Sequence, residues 1–177
     1  MKRALVCALM LLPTAALAQH RPYAGQQEQE IKSLSPDEVK QYLSGAGMGY
    51  AKSAELNRFP GPMHVLELAD KLELTPDQRA RTKALMDAHK AEARTIGAKR
   101  VESERTIEAL FRVSKLDEAA LASGVREAAA LEGEYRLSHL ETHRRMRTLL
   151  SEEQVAHYAH LRGYETVAPS HGSKHWK

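Results

Sequence analysis

The sequence predicts an all-α fold: an elongated antiparallel helical hairpin with short flanking helices, four main helices in all. Three observations lead to this prediction. A helix-initiating motif occurs twice, at residues 74–78 and 150–154. The stretch between the two copies has apolar residues at helical spacing. Leu, Ile, Val and Phe make up only about 18% of the chain from position 19 onward, which favours a slender shape over a thick core.

Each copy of the motif is typical of a capped helix start. Thr75 is an N-cap residue, and Pro76 occupies the first helical position, where a missing N–H costs nothing. Gln78 lies three residues after the cap, the spacing of a capping box, in which cap and third residue exchange side-chain-to-backbone hydrogen bonds. Ser151 and Gln154 repeat this spacing. The motif residues are Leu74, Thr75, Gln78, Leu150, Ser151 and Gln154.

The segment 1–18 is predicted to be a cleavable secretory signal peptide. Lys2 and Arg3 precede an apolar run, and small residues occupy positions 16 and 18 before the cleavage point. The run is short for a bilayer span and ends at Pro13, so we expect a periplasmic protein without stable membrane insertion. A retained anchor is the alternative. The single cysteine, Cys7, lies in this segment, which leaves no thiol for disulfides or cysteine chemistry.

The charge of the remaining chain argues against nucleic acid as a partner. Removing Lys2 and Arg3 from the 26 basic side chains leaves 24 against 23 acidic ones, a net charge of +1. Arg and Glu alternate along the predicted helices, as is typical of solvated, ion-paired faces.

The sequence has no Gly-rich phosphate loop and no dinucleotide fingerprint. We therefore expect a protein that is not an enzyme and requires no cofactor.

The helical domain is predicted to cover residues 35–163. It lies between a flexible N-terminal segment at 19–34, rich in Gln and Glu, and a flexible histidine-containing tail at 164–177. A glycine-rich loop ends at Pro60-Gly61-Pro62. Helices are expected at about 36–44, 63–72, 76–112, 117–149 and 152–162, with one further turn near 51–56.

The two long helices are expected to be antiparallel because the connection at 114–117 is short. Both capping boxes then lie at the same end of the hairpin. A helix over 76–112 would be about 55 Å long, which a domain of this size cannot surround. Part of the hairpin surface must therefore face solvent or another chain.

The paired Leu-Thr-x-x-Gln and Leu-Ser-x-x-Gln boxes, flanking a long hairpin behind a signal peptide, resemble the Spy/CpxP family over roughly residues 60–163. The run Pro60-Gly61-Pro62-Met63-His64 is similar to the periplasmic heavy-metal sensor branch of that family. The resemblance implies a cradle-like protomer, often a homodimer, that binds unfolded envelope proteins without ATP. It also implies a stress-response role, with a membrane sensor kinase as a further candidate partner.

The long helices carry the residues that such a client surface would use. An interrupted apolar stripe with Arg alongside offers weak apolar contact and charge attraction to many partners. The alternative is that these residues only pack the hairpin. The candidates are Ile96, Arg100, Val101, Arg105, Ile107, Phe111 and Leu121.

The nine histidines suggest another function, the binding of Zn, Cu or Ni by a sensor or resistance accessory protein. His139 and His143 are four residues apart on one predicted helix and therefore share a face. Solvated histidines in an Arg-rich stretch are the alternative for this pair. His171 and His175 form a second pair, in the tail. The scattered methionines, Met48, Met63, Met86 and Met146, are expected to fill core or groove space.

Overall fold

The computed structural model describes residues 23–164, which form six helices and no strand. The helices are α1 (Pro36–Ser44), α2 (Lys52–Glu55), α3 (Pro62–Glu67), α4 (Pro76–Leu110), α5 (Glu118–Arg147) and α6 (Glu152–Leu161). The all-α prediction is confirmed, as is the central hairpin, which α4 and α5 form. The predicted signal peptide, His171 and His175 lie outside the described residues.

The hairpin helices begin at well-formed N-caps. The Thr75 hydroxyl accepts the Gln78 N–H at 3.1 Å, and the Gln78 side chain accepts the Thr75 N–H at 3.0 Å. At the start of α5, the Asp117 carboxylate accepts two backbone N–H groups at 3.0 Å. With 35 residues, α4 extends for about 52 Å. No helix within residues 23–164 is both long and apolar enough to cross a membrane.

Helix α1 crosses α4 in close contact at Gly97. A Cβ at this position would lie 2.1 Å from the Tyr42 carbonyl oxygen, so only glycine allows the two backbones to approach. Helix α1 then ends at Gly45 in the left-handed conformation, with φ 69°. This crossing places the chain after α1 beside the middle of the hairpin.

Two apolar clusters support the fold. One fills the capped end, where Val65, Ala69 and Leu72 meet α4, α5 and α6 around the buried Met146. The predicted helix over 63–72 is shorter in the structure, because regular helix ends at Glu67 and turns carry the chain to Leu74. These turns still bury Ala69 and Leu72.

The second cluster lies under α1 and includes a part of the chain that the sequence did not indicate. Ile31 and Leu34 are buried there against Tyr42, Val101 and Tyr135. We expected the segment 19–34 to lie outside the helical domain. The structure packs its last residues onto the hairpin, where Ser33 also donates to Glu104 at 2.6 Å.

Candidate functional site

The capping-box glutamines, Gln78 and Gln154, join the start of α4 to the start of α6 at the capped end of the hairpin. Gln78 donates from its amide to Gln154 at 2.8 Å, and Gln154 donates back at 3.0 Å. The same amides donate to the Leu149 and Leu72 carbonyls at 2.9 and 3.1 Å. Each amide oxygen also accepts the N–H of its own N-cap residue. Both amides therefore make four hydrogen bonds, and the motif forms a clamp whose polar atoms are already engaged.

Two of the predicted client contacts lie inside the protomer, which corrects their assignment to an exposed surface. Val101 is 2% exposed and packs in the cluster under α1. Arg100 is also buried, pairs with Glu104 and lies 3.8 Å from Glu132. The charged neighbours of Val101 in sequence suggested exposure. The crossing of α1 and the buried end of the N-terminal segment cover it instead.

The other predicted client contacts differ in their exposure. Ile96 is half-buried against the cluster under α1, and Ile107 packs against Gly124. Arg105 is paired with Glu30 and Glu102. Leu121 is partly buried. Phe111 is the exception within this set, at 63% exposure.

A cavity of about 760 Å³ lies between the hairpin and the loops that follow α1 and precede α3. Four histidines line it, and three methionines lie in the same wall. We call this space the histidine cavity. Its histidines and methionines are His64, His89, His139, His143, Met48, Met63 and Met86.

The two histidines predicted on α5 each donate a hydrogen bond from Nδ1 to a backbone carbonyl. His139 Nδ1 lies 2.8 Å from the Tyr135 carbonyl, and His143 Nδ1 lies 2.8 Å from the Phe59 carbonyl. A carbonyl oxygen only accepts, so each Nδ1 carries the proton and donates it. In the neutral rings, each Nε2 then carries the lone pair. Histidine ligands of metal ions are commonly oriented by such a hydrogen bond from the other ring nitrogen.

His89 lies on α4 and contacts His139, one of the two histidines on α5. Its ring meets the His139 ring edge-on, with 4.4 Å between centroids. His89 Nδ1 and His139 Nε2 are both buried without a hydrogen-bond partner among residues 23–164. A buried polar atom without a partner costs about 1–3 kcal/mol. The cavity therefore retains two unpaired imidazole nitrogens at a cost to the stability of the fold.

Burial keeps the imidazoles of His89 and His139 neutral. Desolvation, with smaller contributions from His139 and His143, lowers the pKa of His89 to about 4. Burial also lowers the pKa of His139, although the backbone carbonyls of Tyr135 and Ala46 oppose the shift. Neutral imidazole is the form that binds a metal ion.

Gly61 and Glu55 hold His143 in place. A Cβ on Gly61 would lie 2.9 Å from Nε2 and Cε1 of His143, so the ring fits only against glycine. The Glu55 carboxylate lies 3.5 Å from His143 Nδ1. It also accepts the Gly61 N–H at 3.0 Å and the hydroxyl of Tyr158. Glu55 thus connects the loop, α5 and α6 at one wall of the cavity.

The donor set fits a transition metal, but the side chains are not yet arranged around one point. Within residues 23–164, no three His, Cys, Asp or Glu side chains converge closely enough to hold an ion. Imidazoles suit Zn, Cu, Fe and Ni, and thioethers suit soft ions. His89, His139 and His143 are the residues that would hold an ion.

The sequence indicated only part of this site. It placed His139 and His143 on one face but did not connect them with His89, which lies on the other hairpin helix. The four methionines were expected to fill core or groove space. Met146 is buried in the core and Met48 packs against the cluster under α1, as expected. Met48, Met63 and Met86 also line the cavity. His64, also in the wall, is already paired with Glu67 at 2.7 Å.

A comparison of the sequence with models of protein families supports a metal-related family. A family model described as heavy-metal resistance matches residues 43–157, well over half of the chain. The match includes most of the histidine cavity and both capping boxes. No curated protein and no solved structure matches the sequence. The chain belongs to the heavy-metal resistance family.

Proposed function

We propose that this protein binds a transition-metal ion in the histidine cavity and acts in the periplasm as a metal sensor or resistance accessory protein. One observation carries the proposal most directly. His89 Nδ1 and His139 Nε2 are buried, neutral and unpartnered within the described part of the chain. They line one cavity in a member of the heavy-metal resistance family.

The arrangement would bind an ion by closing three imidazoles from two helices around it. The carbonyls of Tyr135 and Phe59 fix the α5 rings so that their Nε2 atoms are available. His89 brings α4 into the same set of ligands. Because α4 and α5 are the two arms of the hairpin, binding would link the arms at mid-length. A change in hairpin geometry would then signal occupancy to a partner, such as a membrane sensor kinase or a second copy.

The direct test is a competition titration with Zn, Cu and Ni on the purified protein and two variants. We expect the double variant His89→Gln/His139→Gln to lose affinity by roughly a hundredfold, since both ligands are removed. His157→Gln is the matched control, because His157 is an exposed histidine on α6, outside the cavity. Binding no tighter than about 10 μM by the unaltered protein, or equal loss in the control, would reject the proposal.

A variant ending at residue 164 separates the cavity from the tail, because Tyr164 still lines the cavity. It lacks His171 and His175, the second pair indicated by the sequence. If the cavity is the site, this variant keeps the affinity of the full chain. Loss of binding on truncation would assign the metal to the tail instead.

A second candidate function, an ATP-independent chaperone, follows from apolar side chains at the turn of the hairpin. Phe111, Val113 and Val125 are 63%, 57% and 50% exposed, at the end opposite the capping boxes. Exposed apolar patches are typical of interaction sites. Unfolded envelope proteins would bind there through weak apolar contacts.

Light scattering of a reduced, unfolding client tests the chaperone candidate. We expect stoichiometric protein to slow aggregation, and Phe111→Ser/Val113→Ser to abolish the effect. Leu137→Ser is the control, because Leu137 is equally exposed but lies on α5 away from the turn. Unchanged aggregation at several salt concentrations would reject this candidate.

A further inference from the structure

We infer that the histidine cavity binds an amphipathic organic anion, that is, a small anionic head group on an apolar chain. This inference does not rest on the proposed metal binding, because it uses other side chains of the same lining. Three features carry it: an excess of positive charge, apolar side chains that are exposed at the cavity, and a second cavity that adjoins the first.

The lining has an excess of positive charge. Among the residues that the structure describes, four cationic side chains and one carboxylate line the cavity. The carboxylate, Glu55, already accepts from Gly61 and from Tyr158. The cationic side chains are Lys52, Lys90, Arg94 and Arg162. The whole chain, by contrast, has 26 basic and 23 acidic side chains. The local excess therefore favours a ligand with negative charge.

Two of these cations are available to a ligand. Lys52 and Lys90 are exposed, and neither forms an ion pair within residues 23–164. Lys83, earlier on α4, shows the usual alternative, since it pairs with Asp87 at 2.6 Å. An anionic head group beside the unpaired cations would gain charge-assisted hydrogen bonds without first breaking an ion pair.

Apolar side chains at the cavity remain in contact with water. Leu56 and Met63 are 51% and 47% exposed. Leu56 also lies next to a cation. Its N–H donates to the Lys52 carbonyl at 3.0 Å, so the two residues are one helical turn apart and share a face at α2. A chain lying on Leu56 would leave water, while its head group stays within reach of Lys52.

A second cavity, of about 470 Å³, extends the space available to such a chain. It shares Lys52 and Leu56 with the first cavity. It also adds Arg136, an exposed cation that forms no ion pair within the described residues. Small-molecule sites are typically concave and mostly apolar, with a few polar groups that orient the ligand. Two adjoining cavities of this kind suit an elongated small molecule.

The test is calorimetry on metal-free protein, kept in chelator, with four probes below their micellar concentrations: octanoate, octanol, octylamine and butanoate. We expect octanoate to bind with a Kd of about 100 μM or tighter. Octanol lacks the charge and butanoate lacks most of the chain, so each should bind about tenfold more weakly or worse. Octylamine should not bind, because its charge is opposite.

The double variant Lys52→Gln/Lys90→Gln assigns the recognition of charge to the cavity. We expect octanoate to bind it about tenfold more weakly, with the weak binding of octanol unchanged. Lys83→Gln is the matched control, since Lys83 is an exposed lysine of α4 that lines neither cavity. Equal loss in the control, or no loss in the double variant, would overturn the inference.

A vesicle assay separates a soluble ligand from a membrane surface. If the protein floats with phosphatidylglycerol vesicles but binds none of the soluble probes, its basic face contacts lipid and the inference is wrong. Octanol binding as tightly as octanoate would also overturn it, because charge would then play no part. The metal titration with His89→Gln/His139→Gln is a separate measurement, so failure of this inference leaves the proposed function standing.

Discussion

The capped end of the hairpin and the histidine cavity differ in how far their buried polar side chains are hydrogen-bonded. At the capped end, Gln78 and Gln154 each complete four hydrogen bonds. In the cavity, His89 and His139 each keep a buried nitrogen that no group within residues 23–164 satisfies. Protein interiors normally satisfy such atoms, because each unsatisfied one is costly. This difference is what we expect if the first region serves stability and the second serves the proposed metal binding.

The largest expected effect tests the capped end. Gln154→Leu keeps side-chain volume but leaves the Gln78 amide, the Ser151 N–H and the Leu72 carbonyl with fewer partners. We expect the free energy of unfolding to fall by about 3 kcal/mol, measured by urea denaturation. Gln41→Leu, at an exposed position on α1, should change it by less than about 0.5 kcal/mol. A loss below about 1 kcal/mol for Gln154→Leu would show that the clamp is not a stabilising device.

The second effect is a pH dependence that originates in the cavity. The pKa of His89 is lowered to about 4 by burial, whereas the unfolded chain keeps the ordinary value near 6.5. The unfolded state therefore binds the proton more readily, and metal-free protein loses stability as the pH falls from 7 to 5, by about 2 kcal/mol from this group. Urea melts with a chelator present measure this loss.

The source of the pH dependence is checked by substitution. His89→Gln should reduce the change between pH 7 and pH 5 without abolishing it, because burial also lowers the pKa of His139. His157→Gln should leave the change as it is. Equal pH dependence in all three proteins would mean that His89 is accessible and protonates normally in the folded state.

A smaller effect concerns the cap hydroxyl of the second box. Ser151→Ala removes the acceptor of the Gln154 N–H and should cost about 1 kcal/mol. Ser151→Thr should be nearly neutral, because Thr75 serves the same purpose in the first box. The loss of stability is measured by thermal unfolding of both variants. A larger cost for Ser151→Thr than for Ser151→Ala would contradict the capping role.

The smallest effect has the opposite sign. His139→Phe replaces a buried imidazole lacking one partner within the described chain by an apolar ring. We expect the metal-free protein to gain between 0 and about 1 kcal/mol. Thr82→Val is the comparison from the capped end, since the buried Thr82 hydroxyl donates to the Gln78 carbonyl at 2.7 Å. That variant should lose stability. If His139→Phe loses more than Thr82→Val, the imidazole is a structural residue.

Local signals allowed most of the fold to be predicted. The caps at Thr75 and Ser151 are encoded within four residues each, and the structure forms both boxes. Ser35 and Glu38 form a third box at the start of α1. Helix ends depend on packing, and α3 accordingly ends at Glu67, well before the predicted position. The burial of Ile31 and Leu34 depends on the crossing of α1 over α4, which no local pattern encodes.

The site was harder to predict because its residues are distant in sequence. Glu55, the last residue of α2, accepts a hydrogen bond from Tyr158 on α6. The course of the loops around α2 cannot be predicted from their composition. His89 had a usable signal, however. It follows the cap residue Thr75 by about four helical turns, and His139 precedes the cap residue Ser151 by about three. In an antiparallel hairpin with both caps at one end, positions at similar distances from the caps face each other. Using the boxes as a register would have paired the two histidines.

The most direct test of the central claim is ¹⁵N NMR of the histidine side chains, recorded without metal and after addition of a diamagnetic ion, either Zn(II), Cu(I) or Ag(I). Without metal, the account predicts that His139 is a neutral tautomer with the proton on Nδ1 and a free Nε2, and that His143 carries a proton on Nδ1. Added metal should then shift these two Nε2 resonances together with His89. A proton on Nε2 of His139 in the free protein, or metal shifts confined to His157 and the tail histidines, would contradict the account.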